Sequence, residues 1–484
     1  MRLNELLQGV TCEVMQGDVC TGIEGVHFDS REIREGYLFV ARRGVRADGH
    51  AFINKAIAAG AVAVLVEELP AELLPGVVYA RCADSSAALG IVAANFYGNP
   101  SRELKLVGVT GTNGKTTTAT LLYELMLLAG HRAGLLSTVC NCIDGERFET
   151  TCTTPDALEI NKLMRAMVDS GCRYCFMEVS SHALDQRRVS GLAFDGAIFS
   201  NITHDHLDYH GTFKEYIQAK KTFFDNLPKE AFALTNADDK NGAVMLQNSA
   251  ARKYSYACKR AADFTGRAIE RHLDGTMLSL NGHNVWVRLV GDFNTYNLLA
   301  VYAAARLLDF PDEVILPAMS RLKPVDGRFE TMLSREGVMA IVDYAHTPDA
   351  LENVLSTIGR LKGAGNRVIT VVGAGGDRDR SKRPVMAVAA CRYSDQVVLT
   401  SDNPRGEEPM AIIEEMYAGV PREMQERVTR ICNREEAIRA ALTLARSGDI
   451  VLVAGKGHEN YQEIKGVKYP FDDKKVIRNL FNKS

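Results

Sequence analysis

Between residues 338 and 454, four apolar runs (near 338–343, 367–372, 396–400 and 449–454) alternate with helix-like stretches near 349–362, 383–393, 409–418 and 434–447. Strand-length runs separated by helices assemble into a parallel sheet, because each parallel return needs a crossover of that length. Every loop that follows a strand then leaves from the same edge. Those loops read DYAHTP (343–348), GAGGDRDRSKRP (373–384), SDNPRGEEP (401–409) and GKGHENYQ (455–462). Open α/β sheets bind ligands at that carboxyl edge. Alone, SDNPRGEEP reads as a turn in which Pro404 pre-sets its own φ, Asn403 is pushed toward extended backbone and Gly406 is free to take a positive φ. Its place on this edge makes it a candidate site wall. GAGGDR fails as a dinucleotide fingerprint because Arg378 stands where the third glycine should be, so a dehydrogenase is not supported.

At 484 residues the chain exceeds one hydrophobic core and predicts roughly three domains. Two polar, proline-bearing stretches, YGNPSRELK (97–105) and KPVDGRFE (323–330), divide it into residues 1–100, 101–329 and 330–484. The formal net charge is -3 with 24% charged residues, which leaves no overall basic field for a nucleic acid or an anionic membrane. The N-terminus MRLNELLQGV carries Glu5 without a signal-like apolar core, and the longest apolar run, 56–66, falls short of the ~20 residues that span a bilayer. A cytoplasmic location without membrane insertion is expected, and a monomer. Eleven cysteines without a repeating spacing suit reduced thiols. The single CxxC, Cys172 and Cys175, falls in an apolar run where a strand would send the two side chains to opposite faces, against zinc.

Residues 106–110 read as a buried strand, GTNGKTTT (111–118) as a glycine loop, and the stretch to Gly130 as a helix. Strand, loop and helix stand in the order a phosphate cradle requires. Gly111 and Gly114 let backbone N–H groups approach phosphate oxygens, with Thr112, Asn113 and Thr117 completing the loop. Lys115 can reach the β and γ phosphates, and the Thr116 hydroxyl can ligate Mg²⁺. One position departs from the G-x-x-x-x-G-K-[ST] pattern, with Val109 in place of the first glycine. No NKxD-like tetrapeptide follows, since NADD (236–239) lacks the lysine, so ATP is the expected nucleotide.

EVSSH (178–182) and SNITHDHLDYHG (200–211) also follow predicted strands. Glu178 and one histidine could complete a Mg²⁺ shell begun by Thr116. H-D-H-L-D-Y-H is one residue longer than the spacing of dinuclear metallo-hydrolases, which would misdirect His210, and solvated loop histidines are the other alternative. Lys220, in the helix-like KEYIQAKKTFF, is by default a surface lysine. Asn294 and Arg328 are candidates for a nucleotide's base and phosphates.

Together these residues resemble the Mur ligases of peptidoglycan synthesis, and within them those that add meso-diaminopimelate. The likeness runs from FDSREIREGYLFVARRGVRADGHAFINKAIAAGA (28–61) through GTNGKTTT, TTPD, EVSSHALDQRRV, DHLDYHG, GDFNTYN, DYAHTPDALE, GGDRDRSKRP and DNPR to AGKGHE. The resemblance implies an α/β protein of three domains: an N-terminal UDP-sugar domain, a central P-loop ATPase domain with a mostly parallel sheet, and a C-terminal Rossmann-like amino-acid domain. It implies that Phe28, Ser30, Thr153, Thr154, Ser180, Gln186 and Arg188 hold a UDP-N-acetylmuramoyl dipeptide. It assigns Lys115 and Thr116 to ATP and Mg²⁺, with Glu178 and His206 at the metal, and it makes Lys220 a carbamate, an anion able to ligate Mg²⁺. Asn294, Arg328, Asp343 and His346 would line the nucleotide. Arg378, Asp402, Asn403, Pro404, Arg405, Gly455 and Glu459 would recognise the diamino acid. The implied reaction phosphorylates a D-glutamyl γ-carboxylate from ATP before the amine attacks, and L-lysine is the alternative amine.

Overall fold

The computed structural model describes residues 1–44, 47–150, 152–203, 205–272 and 274–482. It is a mixed α/β structure with three main sheets. In the first, Gly25–His27, Tyr37–Val40, Ala61–Val66 and Val78–Cys82 run parallel, with Cys12–Gln16 antiparallel at one edge. The long apolar run at 56–66 is not one element. Helix Ile53–Ala58 ends, Gly60 takes a φ of +110°, and the strand Ala61–Val66 begins. A Cβ at Gly60 would stand 2.6 Å from the Glu35 Cα, so only glycine makes this corner.

The central sheet has eleven strands, parallel in its middle and extended by antiparallel strands at both ends. From Lys105–Thr110 the chain moves out to Ala133–Leu136, comes back to Tyr174–Glu178 beside the first strand, and then crosses to Gly196–Phe199 on its other side. The direction of winding therefore reverses at Lys105–Thr110, which opens a crevice at its carboxyl end. Register sets what lines that crevice: Glu178 is level with Val109, and Phe199 with Thr110. Alternate side chains enter opposite cores, Val107, Val109, Phe176 and Ile198 on one face and Leu106, Met177, Ala197 and Phe199 on the other. Burial on both faces explains why these strands read as continuous apolar runs.

The third sheet contains the four strands expected from the alternating pattern, Met339–Asp343, Ile450–Ala454, Val368–Val372 and Gln396–Leu399, all parallel and adjacent in that order. Their loops do leave from one edge. Two edge strands escaped the pattern, the antiparallel Glu330–Leu333 and the three-residue Val428–Arg430. So did a hairpin, Tyr461–Ile464 with Val467–Pro470, turned by Lys465 and Gly466 at φ +48° and +79°. The CxxC geometry is also corrected. Cys172 precedes the strand Tyr174–Glu178, and both thiols are buried in the same apolar cluster rather than on opposite faces.

Candidate active site

The carboxyl edges of the central and C-terminal sheets face each other across a cleft of about 740 Å³. On one wall Gly111 and Gly114 take φ of +152° and +87° and lead into helix Lys115–Leu128. A Cβ at Gly111 would meet Ser200 Oγ at 2.0 Å, and one at Gly114 would meet Asn297 Oδ1 at 2.5 Å. Both glycines are therefore set by space as well as by backbone conformation. Val109 replaces the usual first glycine without disturbance because it is still inside the strand, paired with Glu178 and Ile198.

Thr116 Oγ1 donates to Glu178 Oε2 at 3.0 Å, and the Thr138 N–H donates to Glu178 Oε1 at 2.7 Å. Lys115 Nζ folds back onto the Gly111 and Thr112 carbonyls, both at 2.9 Å. Lys220 Nζ reaches the same Gly111 carbonyl, also at 2.9 Å. Lys220, on helix Phe213–Asp225, is only 1% exposed and is not a surface lysine. Burial and the neighbouring Lys115 charge bring its amine well below the usual lysine range, and burial lowers Lys115 as well. Two ammonium groups on one carbonyl repel each other, and the more deeply buried Lys220 cannot keep full charge at low cost.

The loop after Gly196–Phe199 adds Asp205 and His206 to the wall. Burial lowers His206 to about 3 even though Asp205 stands 3.4 Å away, so its imidazole is neutral at pH 7. Burial opposes the Asp205 charge, but His206, His346 and Lys382 hold it at about 2. His206 has a φ of +54° and its ring lies 4.8 Å from that of His182. His210 contacts Ser181 Oγ at 2.9 Å. His204 is outside the described residues. Among the described residues, no three His, Cys, Asp or Glu side chains cluster as a metal site by themselves.

Arg328 NH2 donates to Thr116 Oγ1 at 3.1 Å, and its guanidinium covers the Tyr344 ring at 4.3 Å. Buried Asp343 accepts the N–H groups of Phe329 (2.7 Å) and Ala345 (2.8 Å), and burial raises its pKa despite Arg328. His346 is lowered to about 4 by burial and lines the cleft. Asn294 does not. Its side chain is spent on the Val290 carbonyl and Asn297, and it is Asn297, Phe293 and Tyr296 that face the cavity.

On the opposite wall, Arg405 rather than Gly406 takes the left-handed conformation, with φ +50°. That costs an arginine about 1 kcal/mol and is offset by Arg405 N–H to Glu463 O at 3.0 Å, Lys465 N–H to Arg405 O at 2.7 Å, and Arg405 NH1 to Gly376 O at 2.8 Å. Pro404 packs behind the wall: a Cβ at Gly376 would stand 1.9 Å from its carbonyl oxygen. The acidic partner of Arg405 is Glu463 of the hairpin, at 3.6 Å. Glu407, the neighbour in sequence, is instead bound by fully buried Arg383 at 2.7 and 2.9 Å. Asn403 accepts from Lys456 Nζ (3.0 Å) and Glu463 N–H (2.9 Å) and donates to Glu459 (2.8 Å). Asp402, Arg378, Gly455 and Glu459 line the same wall.

Three family models match the chain in order: "Mur ligase family, catalytic domain" over 22–97, "Mur ligase middle domain" over 109–305, and "Mur ligase, glutamate ligase domain" over 327–457. A Bacteroides fragilis protein named UDP-N-acetylmuramoyl-L-alanyl-D-glutamate--2,6-diaminopimelate ligase is 54% identical over 483 residues, covering 100% of this chain and 99% of the relative. The chain belongs to the Mur ligase family. A Parabacteroides distasonis protein of the same name is 55% identical over 482 residues, covering 100% of this chain and 99% of that protein. A solved structure with that ligase name superposes at TM-score 0.71 with 32% identity, covering 100% of this chain and 99% of that one.

In this Mur ligase a further group gathers where the first sheet meets the central one. Thr154 Oγ1 donates to the Glu178 carbonyl at 2.8 Å, and Ser180 N–H donates to Thr154 Oγ1 at 3.1 Å. Arg188 binds the Thr154 carbonyl at 2.6 Å and Gln186 Oε1 at 2.7 Å. Thr153 accepts from Thr138 at 3.0 Å. Ser30 is buried, and Phe28 stacks on His27 beneath the Arg42 guanidinium, 4.1 Å from the ring centre. Arg42 was not singled out from the sequence, nor were Thr138, Asp349 (2.9 Å from Asn113 Nδ2), Lys456 and Glu463. Lys456 lay within the AGKGHE motif. Arg42 likewise lay within the 28–61 stretch and Asp349 within DYAHTPDALE, whereas Thr138 and Glu463 carried no local signal, because the Thr138 partners are 15 and 40 residues away and Glu463 sits in a hairpin that the pattern did not resolve.

Proposed function

We propose that this Mur ligase joins meso-diaminopimelate to the D-glutamyl γ-carboxylate of UDP-N-acetylmuramoyl-L-alanyl-D-glutamate, with ATP cleaved to ADP and phosphate, in peptidoglycan precursor synthesis. One observation carries the reading: a single cleft has the phosphate loop with Thr116 and Glu178 on one wall and the Asp402–Arg405 loop on the other. The names of full-length relatives at 53–55% identity support the same amine. In this reading residues 1–100 take the UDP-sugar, 101–329 the ATP and 330–484 the amino acid.

A carboxylate and an ammonium do not condense unaided, because the carboxylate oxygen is a poor leaving group. Transfer of the γ-phosphoryl group to the carboxylate gives an acyl phosphate. The diaminopimelate amine, once deprotonated, attacks the acyl carbon and phosphate leaves. Lys115 is placed to turn from its loop carbonyls to the phosphates, where its charge acts in a water-poor site. Thr116, Glu178 and His206 suit Mg²⁺: an alcohol oxygen, a fully buried carboxylate and a neutral imidazole. When bound, the ion offsets charge on the transferring phosphoryl group. Lys220 meets the chemical condition for a carbamate, because CO₂ adds only to the free-base amine, the form that burial and Lys115 favour. Arg42, Arg188 and the Thr154 group are offered to the nucleotide-sugar dipeptide. Asn113 with Asp349, and Arg328 with Thr116, bridge the walls and help exclude water from the acyl phosphate.

The substrates are small molecules of the cytoplasm, and no described helix is long and apolar enough to cross a membrane. One chain supplies both walls, which supports action as a monomer. The test is phosphate release from Mg·ATP. It is expected to require both the UDP-muramoyl dipeptide and the amine; release without either one counts against the ligase reading.

A further inference from the structure

Side chains two apart on an extended chain point the same way. Cys140 and Cys142 have that spacing where the strand Asn141–Ile143 begins, and their sulfurs are 3.4 Å apart in a buried setting. Arg147 lies opposite Cys142 in the antiparallel register. The hydrogen bond from Cys142 brings the Cys140 thiol down to about 7, helped by the Arg147 charge and opposed by burial, while Cys142 itself is raised. Cys172, by contrast, is pushed up to about 11 by burial. A thiol with thiolate character, touching a second thiol and facing a guanidinium, is arranged for two-electron chemistry that neither packing nor amide synthesis uses.

The pair is also tied to the active site. Cys140 N–H donates to Ser137 Oγ at 3.3 Å, and that hydroxyl donates to the Cys140 carbonyl at 2.8 Å. Inside this turn Thr138 gives its N–H to Glu178 at 2.7 Å and its hydroxyl to Thr153 at 3.0 Å. Closing the 3.4 Å gap between the sulfurs to a covalent bond would pull on Cys140 and so on the turn.

We propose that Cys140 and Cys142 are a dithiol oxidation site, converted by hydrogen peroxide to a disulfide that displaces the Ser137–Cys140 turn from Glu178 and lowers activity. The Cys140 thiolate attacks one peroxide oxygen and breaks the O–O bond, giving a sulfenic acid and hydroxide, which takes a proton to become water. The Cys142 sulfur then attacks Cys140, forming the S–S bond. The departing hydroxide takes the Cys142 proton and leaves as a second water. The two sulfurs lose two electrons and the peroxide gains them.

The test treats reduced full-length protein with hydrogen peroxide, removes the excess with catalase, denatures, alkylates with iodoacetamide and digests with trypsin. Residues 133–147 form one tryptic peptide with no other cysteine. The expected result is a peptide two hydrogens lighter and closed to alkylation, with ligase activity down roughly tenfold to 10²-fold. Dithiothreitol restores both, and Cys140→Ser and Cys142→Ser keep their activity under the same peroxide. Cys142→Ala serves where serine disturbs the apolar surroundings. A peptide alkylated twice, a disulfide formed at full activity, or variants inactivated like the wild type would overturn the proposal. The activity arm rests on the ligase reading and the peptide mass does not. Untreated protein without activity therefore counts against the ligase, and the peptide alone decides for or against the dithiol.

Discussion

Replacing Lys220 by alanine is expected to lower kcat by about 10²-fold or more, the scale seen when a group that organises a metal site is lost. It should leave the melting temperature close to that of the wild type. The two halves of this expectation have separate causes. The ammonium of Lys220 is buried beside Lys115, and among the described residues it meets the Gly111 carbonyl, Thr110 Oγ1 and the face of the Tyr216 ring, 4.8 Å from its centre, without an ion pair. Removing it takes away a desolvation cost rather than a stabilising pair. Activity is expected to fall because the carbamate anion proposed for Lys220 can no longer form. Formate or acetate should then return part of the activity by supplying a carboxylate to the space left by the side chain. A variant that stays within about twofold of wild type without added carboxylate would make Lys220 a buried structural lysine only.

The second large effect belongs to Arg405. Diaminopimelate differs from lysine by one distal carboxylate, and an arginine fork can hold it with two parallel hydrogen bonds. Arg405→Ala is expected to raise KM for diaminopimelate by roughly 30- to 150-fold, about 2–3 kcal/mol for a charge-assisted contact, with KM for ATP unchanged. Lysine at this position should not restore selectivity, because it loses the fork. The Glu463 carboxylate, 3.6 Å from Arg405 Nε, shows that this guanidinium already sits where a carboxylate can approach it. If selectivity between diaminopimelate and lysine survives in Arg405→Ala, the arginine serves the Glu463 pair and the Gly376 carbonyl alone.

The repeating features were legible in the sequence and the single contacts between distant segments were not. Four apolar runs with helical spacers specify a parallel sheet, and the glycine loop specifies its own strand and helix, because both signals are local and periodic. On chemistry alone Gly406 is the expected left-handed residue, since glycine carries the smallest cost there. Arg405 holds that conformation because backbone bonds from a hairpin 58 to 60 residues away outweigh about 1 kcal/mol. The motif GDFNTYN offers Asn294, but it is Asn297, three residues on, that faces the cavity. Which of the two faces the cavity depends on Val290 and Gly114, which no local pattern reveals. Lys220 read as a surface lysine by composition, and its burial follows from helix Phe213–Asp225 packing beneath the phosphate loop.

The most direct test of the central claim is a head-to-head assay of wild-type protein with Mg·ATP, UDP-N-acetylmuramoyl-L-alanyl-D-glutamate and either meso-diaminopimelate or L-lysine, with products identified by mass. The account predicts a diaminopimelate adduct formed in step with phosphate release and little or no lysine adduct. Equal rates with the two amines, or no adduct with diaminopimelate, would contradict it.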